Sequence, residues 1–479
     1  MSNTAIVFVV VYVVGLALAF KHPIWGLTTY MWAFYDNPQS HWWYRQLPPD
    51  FRWSLVAAGV TFIAFVIHSS SQEATGTRAK PDGPANAGEA PSLGPGFWLL
   101  ALMAVWMWVQ SAWAINLDTH LEGCMLFTKY LLLYFVIVRL IRTEAYLELL
   151  SWVHVTGCFL WGWILYTSNL SFRAEVVLGP GVEDSNTSGF HLVTGLAFGG
   201  FMLLGFKDKR RLLLLGMLPF IMNGIILTSS RGAVVAMAAA GISALIFAPR
   251  AKRLTVWAGA ALGIVLFLRL AGSDLFWQRM NTIQVTGDET DMEESAYSRL
   301  EIAAANWQMF LDHPFGAGYR GNVELSPRYI DRKWLTEGRR AAHNTFLAVL
   351  VDMGAPGFLL LLTLLGWSLA RLVALKRLDK KGLSPALGTY RGAIAAGLVA
   401  YIVAGQFGNF VTAEVSIWLL AMTAVLDSLS TAAVLPLTVS SRSTGVSDSR
   451  AAVPALRGLG AYSQRSAHLL RTTNDQMRR

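Results

Sequence analysis

Twelve apolar runs, each close to the length that crosses a bilayer, constrain this chain more than any other feature of its sequence. A spanning helix needs about 20 apolar residues. The composition agrees, because only 14% of the residues are charged, whereas a soluble domain carries about 25%. We therefore predict an all-α polytopic membrane protein with about twelve transmembrane helices. The runs lie at 5–20, 53–68, 97–115, 124–141, 146–167, 188–206, 212–228, 232–249, 254–272, 355–375, 391–409 and 412–430. A shorter run at 22–36 either crosses or re-enters.

Basic residues in the short loops predict the orientation, since Lys and Arg are retained on the cytoplasmic side. Three basic clusters are separated from one another by an even number of runs, so they lie on one side. They occupy positions 207–211, 250–253 and 376–381. The opposite, periplasmic side then receives residues 168–187, the turn at 229–231 and the long stretch 273–343. We expect any chemistry there.

Composition and run positions together predict the division of the chain and exclude some partners. The basic residues behind the net charge of +9 lie in loops and in the tail, without an aromatic-interleaved patch, so we expect no nucleic-acid partner. Cys124 and Cys158 lie inside apolar runs and are interpreted as small buried hydrophobes. The predicted regions are N-terminal transmembrane helices at 1–187 with a flexible cytoplasmic linker at 69–96, a core at 188–375, C-terminal transmembrane helices at 376–434, and a disordered basic cytoplasmic tail at 435–479.

The first candidate functional motif is Thr228-Ser229-Ser230-Arg231-Gly232-Ala233, at the break between two tightly spaced runs. An arginine at a membrane edge is costly. Arg231 also falls on the side where positive charge is disfavoured, which favours a functional role. The structural alternative is a snorkelling or topology-setting arginine.

The second motif is Tyr297-Ser298-Arg299-Leu300-Glu301 in the long loop. Apolar residues follow with helical spacing and predict an amphipathic helix along the membrane surface, with Arg299 at the edge of its apolar face. These residues are Leu300, Ala304, Trp307 and Leu311. His313-Pro314 should end the helix, because proline disfavours a helical residue before it. An ordinary solvated arginine is the alternative.

The third motif is Ala341-Ala342-His343-Asn344-Thr345-Phe346-Leu347, where the loop re-enters an apolar run. The positive end of the helix dipole there keeps the His343 ring neutral, so that it can accept a proton. A histidine that only caps the helix is the alternative.

Two arginines and a neutral histidine at one face suit the displacement of a diphosphate by a hydroxyl. The acidic run 288–294 is the one candidate for a metal site, and its carboxylates are more simply solvated, so no metal or cofactor is predicted. His154 and His191 are interpreted as packed or hydrogen-bonded inside the bundle.

The order and spacing of these motifs resemble the superfamily of O-antigen ligases and Wzy-type polymerases. The motifs that carry the resemblance are Ser230-Arg231-Gly232, Ser298-Arg299-Leu300, Trp307, His313-Pro314-Phe315-Gly316-Ala317-Gly318, His343-Asn344-Thr345-Phe346-Leu347 and Met353-Gly354-Ala355-Pro356-Gly357. The stretches 20–26, 36–38 and 184–186 are similar to the ligase branch associated with exosortase-type O-glycosylation. The turn at Gly316-Ala317-Gly318 departs from the usual glycine-branched-glycine pattern.

This resemblance implies a C-type glycosyltransferase fold in the bacterial inner membrane with its active site facing the periplasm. It implies metal-independent, inverting transfer of a glycan from undecaprenyl diphosphate to lipid A-core oligosaccharide. Arg231 and Arg299 would hold the donor diphosphate and His343 would be the base. Arg339, Arg340 and Asn344 are further candidates for substrate binding. A polymerase, a protein O-oligosaccharyltransferase and a non-enzymatic exporter of lipid-linked glycan remain alternatives.

Overall fold

Apolar helices account for nearly all regular structure in the computed structural model of this chain, which describes residues 1–48, 51–74, 91–168, 177–182, 184–248, 253–272, 276–277, 280, 289–381 and 384–443. Within these ranges the extended pairings are two isolated bridges, Gly179 with Val182 and Thr336 with Arg339. The prediction of an all-α membrane protein is confirmed at this level. Residues 1–435 form one compact unit, and of the second unit, 436–479, the described part is helical up to Ser443.

The α-helices of the described residues, in chain order, are α1 Asn3–Ala19, α2 Ile24–Tyr35, α3 Trp53–Ala74, α4 Gly94–Gln110, α5 Leu117–Leu140, α6 Glu144–Thr167, α7 Ser185–Gly205, α8 Arg210–Leu227, α9 Arg231–Phe247, α10 Arg253–Leu270, α11 Glu289–Asp312, α12 Gly321–Tyr329, α13 Thr345–Leu375, α14 Pro385–Ala404 and α15 Glu414–Ser443. The helices α3 and α4 take up both ends of the predicted linker, whose residues 75–90 lie outside the described ranges. The helix α15 runs eight residues beyond the predicted start of the tail, and residues 444–479 also lie outside those ranges.

Each of the twelve predicted runs is matched by a helix. In the described ranges, nine helices are long and apolar enough to cross a membrane. The helices α1, α4 and α9 are apolar but have 17 residues each. A total of twelve spans therefore remains a prediction. The helix at the predicted run 391–409 lies earlier in the chain, because α14 begins at Pro385, ends at Ala404 and is followed by a loop.

The helix ends gather at two ends of the bundle. Contacts at the basic end join Arg210 to Glu148 and the buried Arg391 to Asp379, where predicted cytoplasmic clusters lie. The opposite end, called here the loop end, contains the turn between α8 and α9 and the segment that joins α10 to α13. Which end faces the periplasm remains a prediction.

A break in α13 exposes a backbone carbonyl that binds the loop between α10 and α13. Pro356 has no N–H group to donate to the carbonyl of Asp352, and Gly354 adopts a φ of 67°, which only glycine tolerates easily. The freed Asp352 carbonyl accepts hydrogen bonds from the Gly318 amide at 3.0 Å and the Gln110 side chain at 3.1 Å. The Gly316-Ala317-Gly318 turn, with both glycines at positive φ, therefore packs against the break in α13.

The segment between α10 and α13 has a small core of its own. Apolar side chains of α11, α12 and the start of α13 form it, so α11 is fixed on one face. The predicted apolar stripe lies on the other face, where Leu300, Trp307 and Leu311 are all more than half exposed. The helix ends at Asp312, just before His313-Pro314, as predicted.

Candidate functional site

A cavity of about 290 Å³ lies at the loop end and collects most of the predicted site residues. Its walls come from α7, α9, α11, the start of α13 and the loop after α14. The lining residues are Asn186, Arg231, Gly232, Ser298, Arg299, Ile302, Ala303, Arg340, Ala342, His343, Asn344, Leu347, Gln406 and Phe407. Residues from three sequence motifs, of which the first and the last are more than 110 positions apart, thus line one cavity.

Three helix N-termini meet at this cavity. Asp184 caps α7, Ser230 caps α9 and Asn344 caps α13, each by accepting hydrogen bonds from backbone N–H groups of the first turn. A side-chain hydrogen bond of 2.8 Å from Ser230 to Asn186 joins the first two ends. The Asp184 carboxylate offsets the partial positive charge at the start of α7, whereas the N-termini of α9 and α13 have neutral caps and favour an anion in the cavity.

Gly232 explains why glycine follows Arg231 in the motif. A Cβ atom at this position would lie 2.6 Å from the Cβ of Phe407, so only glycine lets the loop after α14 approach α9 this closely. The same loop places Gln406 beside Asn344, whose amide donates to it at 3.1 Å. The end of α14 is thereby part of the cavity wall.

The charged side chains that line the cavity, among the described residues, are all cationic. They are Arg231, Arg299 and Arg340. Among the described side chains, Arg299 and Arg340 form no ion pair with a carboxylate; Arg340 donates to the hydroxyl of Thr336 at 2.7 Å instead. Since guanidinium groups stay charged and match phosphate oxygens bidentately, this wall suits a phosphorylated ligand.

His343 lies directly before the cap of α13, in a left-handed backbone conformation with a φ of 48°. Such a conformation is uncommon for a residue with a Cβ, so neighbouring contacts must hold it. The preceding amide, that of Ala342, donates to the Asn322 side chain at 3.1 Å. Asn322 in turn donates its side-chain amide to the buried Asp352 carboxylate at 2.8 Å. This chain of hydrogen bonds connects His343 to the broken part of α13.

The remaining predictions have mixed outcomes. Asn344, not His343, is the cap of α13, since its side chain accepts from the amides of Phe346 and Leu347. Arg339 is not among the lining residues and pairs with Glu324 at 2.6 Å. The cavity therefore brings together Arg231, Arg299, Arg340, His343 and Asn344 but leaves Arg339 outside.

The other titratable groups lie elsewhere. His154 is buried between the hydroxyls of Tyr35 and Thr194, and the Nδ1 atom of His191 contacts the carbonyl of Thr187 at 2.9 Å, as their interpretation as packed residues predicted. In the part of the chain that the structure describes, no group of three or more His, Cys, Asp or Glu side chains could hold a metal ion. The side chains of the acidic run 288–294 fall outside that part.

The segment that carries the arginines of the cavity and His343 also matches a known protein family. Residues 212–362, about a third of the chain, match the family described as Wzy_C, O-antigen ligase. This match supports membership of the O-antigen ligase and Wzy superfamily. Members of this family are glycosyltransferase-like ligases or polymerases. The matched segment carries every arginine of the cavity and His343, whereas Asn186 and Gln406 lie outside it. No curated protein matches the chain.

Sequence reasoning missed three polar residues around this site. Gln406 was hidden because the apolar run at 391–409 was interpreted as one span. Asn322 and Asp352 belong to no motif, and their hydrogen bonds form only when the loop folds back on α13. A single Asp in an otherwise apolar helical run was the one available signal, since such a group is expensive to bury without partners.

Proposed function

We propose that this protein is an O-antigen ligase that transfers a glycan from undecaprenyl diphosphate to lipid A-core oligosaccharide at the periplasmic face of the inner membrane. The observation that carries the proposal is the cavity lined by three arginines and His343 at the N-termini of α9 and α13, with no acidic side chain among the described lining residues. Membership of the superfamily supports the reaction class.

In the proposed step, a hydroxyl oxygen of the acceptor attacks the anomeric carbon of the donor sugar from the face opposite the diphosphate. The bond from that carbon to the diphosphate oxygen breaks, and its electron pair leaves with the lipid diphosphate. The proton of the acceptor hydroxyl passes to the neutral ring of His343, as a general base requires. Configuration at the sugar is inverted.

The arginines are assigned to the leaving group. Negative charge grows on the diphosphate as its bond to the sugar breaks, and fixed cations that face it stabilise the transition state more than the ground state. Arg231, Arg299 and Arg340 are placed to supply that charge together with the helix N-termini. In this mechanism no metal ion is required.

The experiment is a transfer assay with the purified full-length protein in detergent, a defined undecaprenyl diphosphate-linked glycan and lipid A-core acceptor, without nucleotide or ion gradient. Product formation supports the ligase. Elongated glycan on the lipid carrier would identify a polymerase, and glycan on serine or threonine of a protein acceptor would identify a protein O-oligosaccharyltransferase. Transport in vesicles without any product would identify an exporter.

A further inference from the structure

A second and larger cavity, of about 850 Å³, lies among α2, α3, α5 and the segment 37–48, outside the segment that matches the family. Its volume is within the range of about 300–1,000 Å³ found for small-molecule sites. None of the motifs that the sequence analysis assigned to catalysis lines it. Its lining divides into an apolar part and a polar part.

The apolar part opens to the outside of the bundle. Leu55 and Phe62 of α3 and Leu132 of α5 line it and remain 44%, 38% and 46% exposed. On α3 the lining runs from Trp53 to Phe62, which at 1.5 Å per residue is about 14 Å. This is roughly half of the ~30 Å hydrocarbon core, the depth of one leaflet.

The polar part gathers at the loop end of the same cavity. Arg52 and Lys129 are exposed cations there, and Glu414, the one acidic residue among the described lining residues, accepts a hydrogen bond from the Tyr30 hydroxyl. Two cations against one carboxylate leave a net positive charge. The end of the cavity therefore favours an anionic group.

Asn37 adds an independent indication that a ligand belongs in this space. It is only 6% exposed and lines the cavity, yet its side-chain nitrogen Nδ2 has no hydrogen-bond partner among the described residues. A buried donor without an acceptor costs about 1–3 kcal/mol. An oxygen atom of a ligand at the polar end would satisfy it.

We propose that this second cavity binds a lipid of the loop-end leaflet, with an anionic phosphate headgroup beside Arg52, Lys129 and Asn37 and a hydrocarbon chain between α3 and α5. An amphiphile fits this cavity better than a free phosphate does. The apolar lining has the depth of one leaflet and opens to the side, and the cavity ends in polar residues. The proposal goes beyond the transfer reaction and does not depend on it.

Native mass spectrometry of the full-length protein tests this, after incubation in detergent with phosphatidylglycerol, phosphatidylcholine or inorganic phosphate. Gly59 lines the cavity and Gly263 of α10 does not, and a Cβ atom at either position meets no atom within 4 Å. Gly59→Leu therefore fills the cavity, and Gly263→Leu is the matched control. Overpacking of this kind should lower bound phosphatidylglycerol about tenfold in the first variant only.

The headgroup contacts are tested separately with Arg52→Gln combined with Lys129→Gln. Loss of two cations should lower phosphatidylglycerol binding roughly tenfold or more and leave phosphatidylcholine binding nearly unchanged. Arg269→Gln, at the same end on α10, is the control. Equal retention of phosphatidylglycerol by Gly59→Leu and Gly263→Leu overturns the lipid site. Binding of inorganic phosphate as tight as that of phosphatidylglycerol overturns the role of the chain. Because no transfer is measured, these outcomes are independent of the proposed ligase activity.

Discussion

Two regions of this bundle place a histidine among polar side chains, and they differ in what the ring can do. His154 lies inside the bundle, 2% exposed, with the hydroxyls of Tyr35 and Thr194 at its two ring nitrogens. His343 is exposed at the wall of a cavity that could hold a ligand. A histidine whose two nitrogens are satisfied by neighbours contributes to packing, whereas one beside open space can exchange a proton with a bound molecule.

Replacing each histidine by alanine tests this difference in role most directly. His343→Ala should lower the transfer rate about 10²–10⁴-fold, the contribution of a general base. His154→Ala should retain transfer per folded molecule but lose about 1–3 kcal/mol of stability, because the buried Tyr35 hydroxyl loses its acceptor, whereas Thr194 still donates to the carbonyl of His191. Rates in the reconstituted assay and thermal unfolding in detergent check both. Near-normal transfer by His343→Ala would remove this residue from the mechanism.

The next contrast is between arginines inside and outside the cavity. Arg231→Ala, Arg299→Ala and Arg340→Ala should each lower the transfer rate about 10²–10³-fold, as expected when a group that stabilises transition-state charge is lost. Arg339→Ala is the matched control, because it removes a cation outside the cavity, and the Arg339 side chain is 56% exposed in its pair with the partly buried Glu324. An equal loss in Arg339→Ala would show that total positive charge matters and not its position.

The difference between Arg339 and the arginines of the cavity shows which parts of the site could be predicted from the sequence alone. The motif residues Arg231, Arg299 and His343 were predicted as one site, and they line one cavity. Arg231 and His343 lie at the ends of apolar runs, whose order predicts that they share one end of the bundle, and Arg299 lies in the loop that connects to that end. Arg339 and Arg340 could not be separated by sequence. Adjacent residues in a loop point in different directions according to the local backbone, and the bridge of Thr336 with Arg339 sets that direction here.

The long-range hydrogen bonds of the site could not be predicted from the sequence. The boundary between bundle and loop at residue 343 was predicted from the return of apolar periodicity. The contacts that hold it, from Asn322 to Asp352 and to Ala342, depend on a helix break that turns a carbonyl and a carboxylate toward the loop. No pattern in a single sequence specifies which loop residue meets them.

These contacts give a third and smaller expected effect. Asn322→Ala should lower kcat about 10- to 100-fold, since a shift of about 1 Å in a positioned group can cost 10²-fold, and KM should change little because the arginines remain. Ser326→Ala removes the hydrogen bond of 2.8 Å that the Arg340 amide, three residues before His343, donates to the serine hydroxyl. It should lower kcat less than Asn322→Ala does. A rise in KM with an unchanged kcat for Asn322→Ala would contradict a positioning role.

The smallest expected effect is that of a chelator, which tests whether a bound metal ion supplies positive charge to the site. If three guanidinium groups and the N-termini of α9 and α13 stabilise the departing diphosphate, EDTA should change the transfer rate less than about twofold, because no further cation is needed. Loss of activity that a divalent cation restores would instead assign that charge to a bound metal. The arginines would then orient the donor, and the acidic run 288–294 would become the first place to look for the ligands. The size of the arginine effects distinguishes the two cases, since a metal that carried the charge would leave Arg340→Ala with a loss far below 10²-fold.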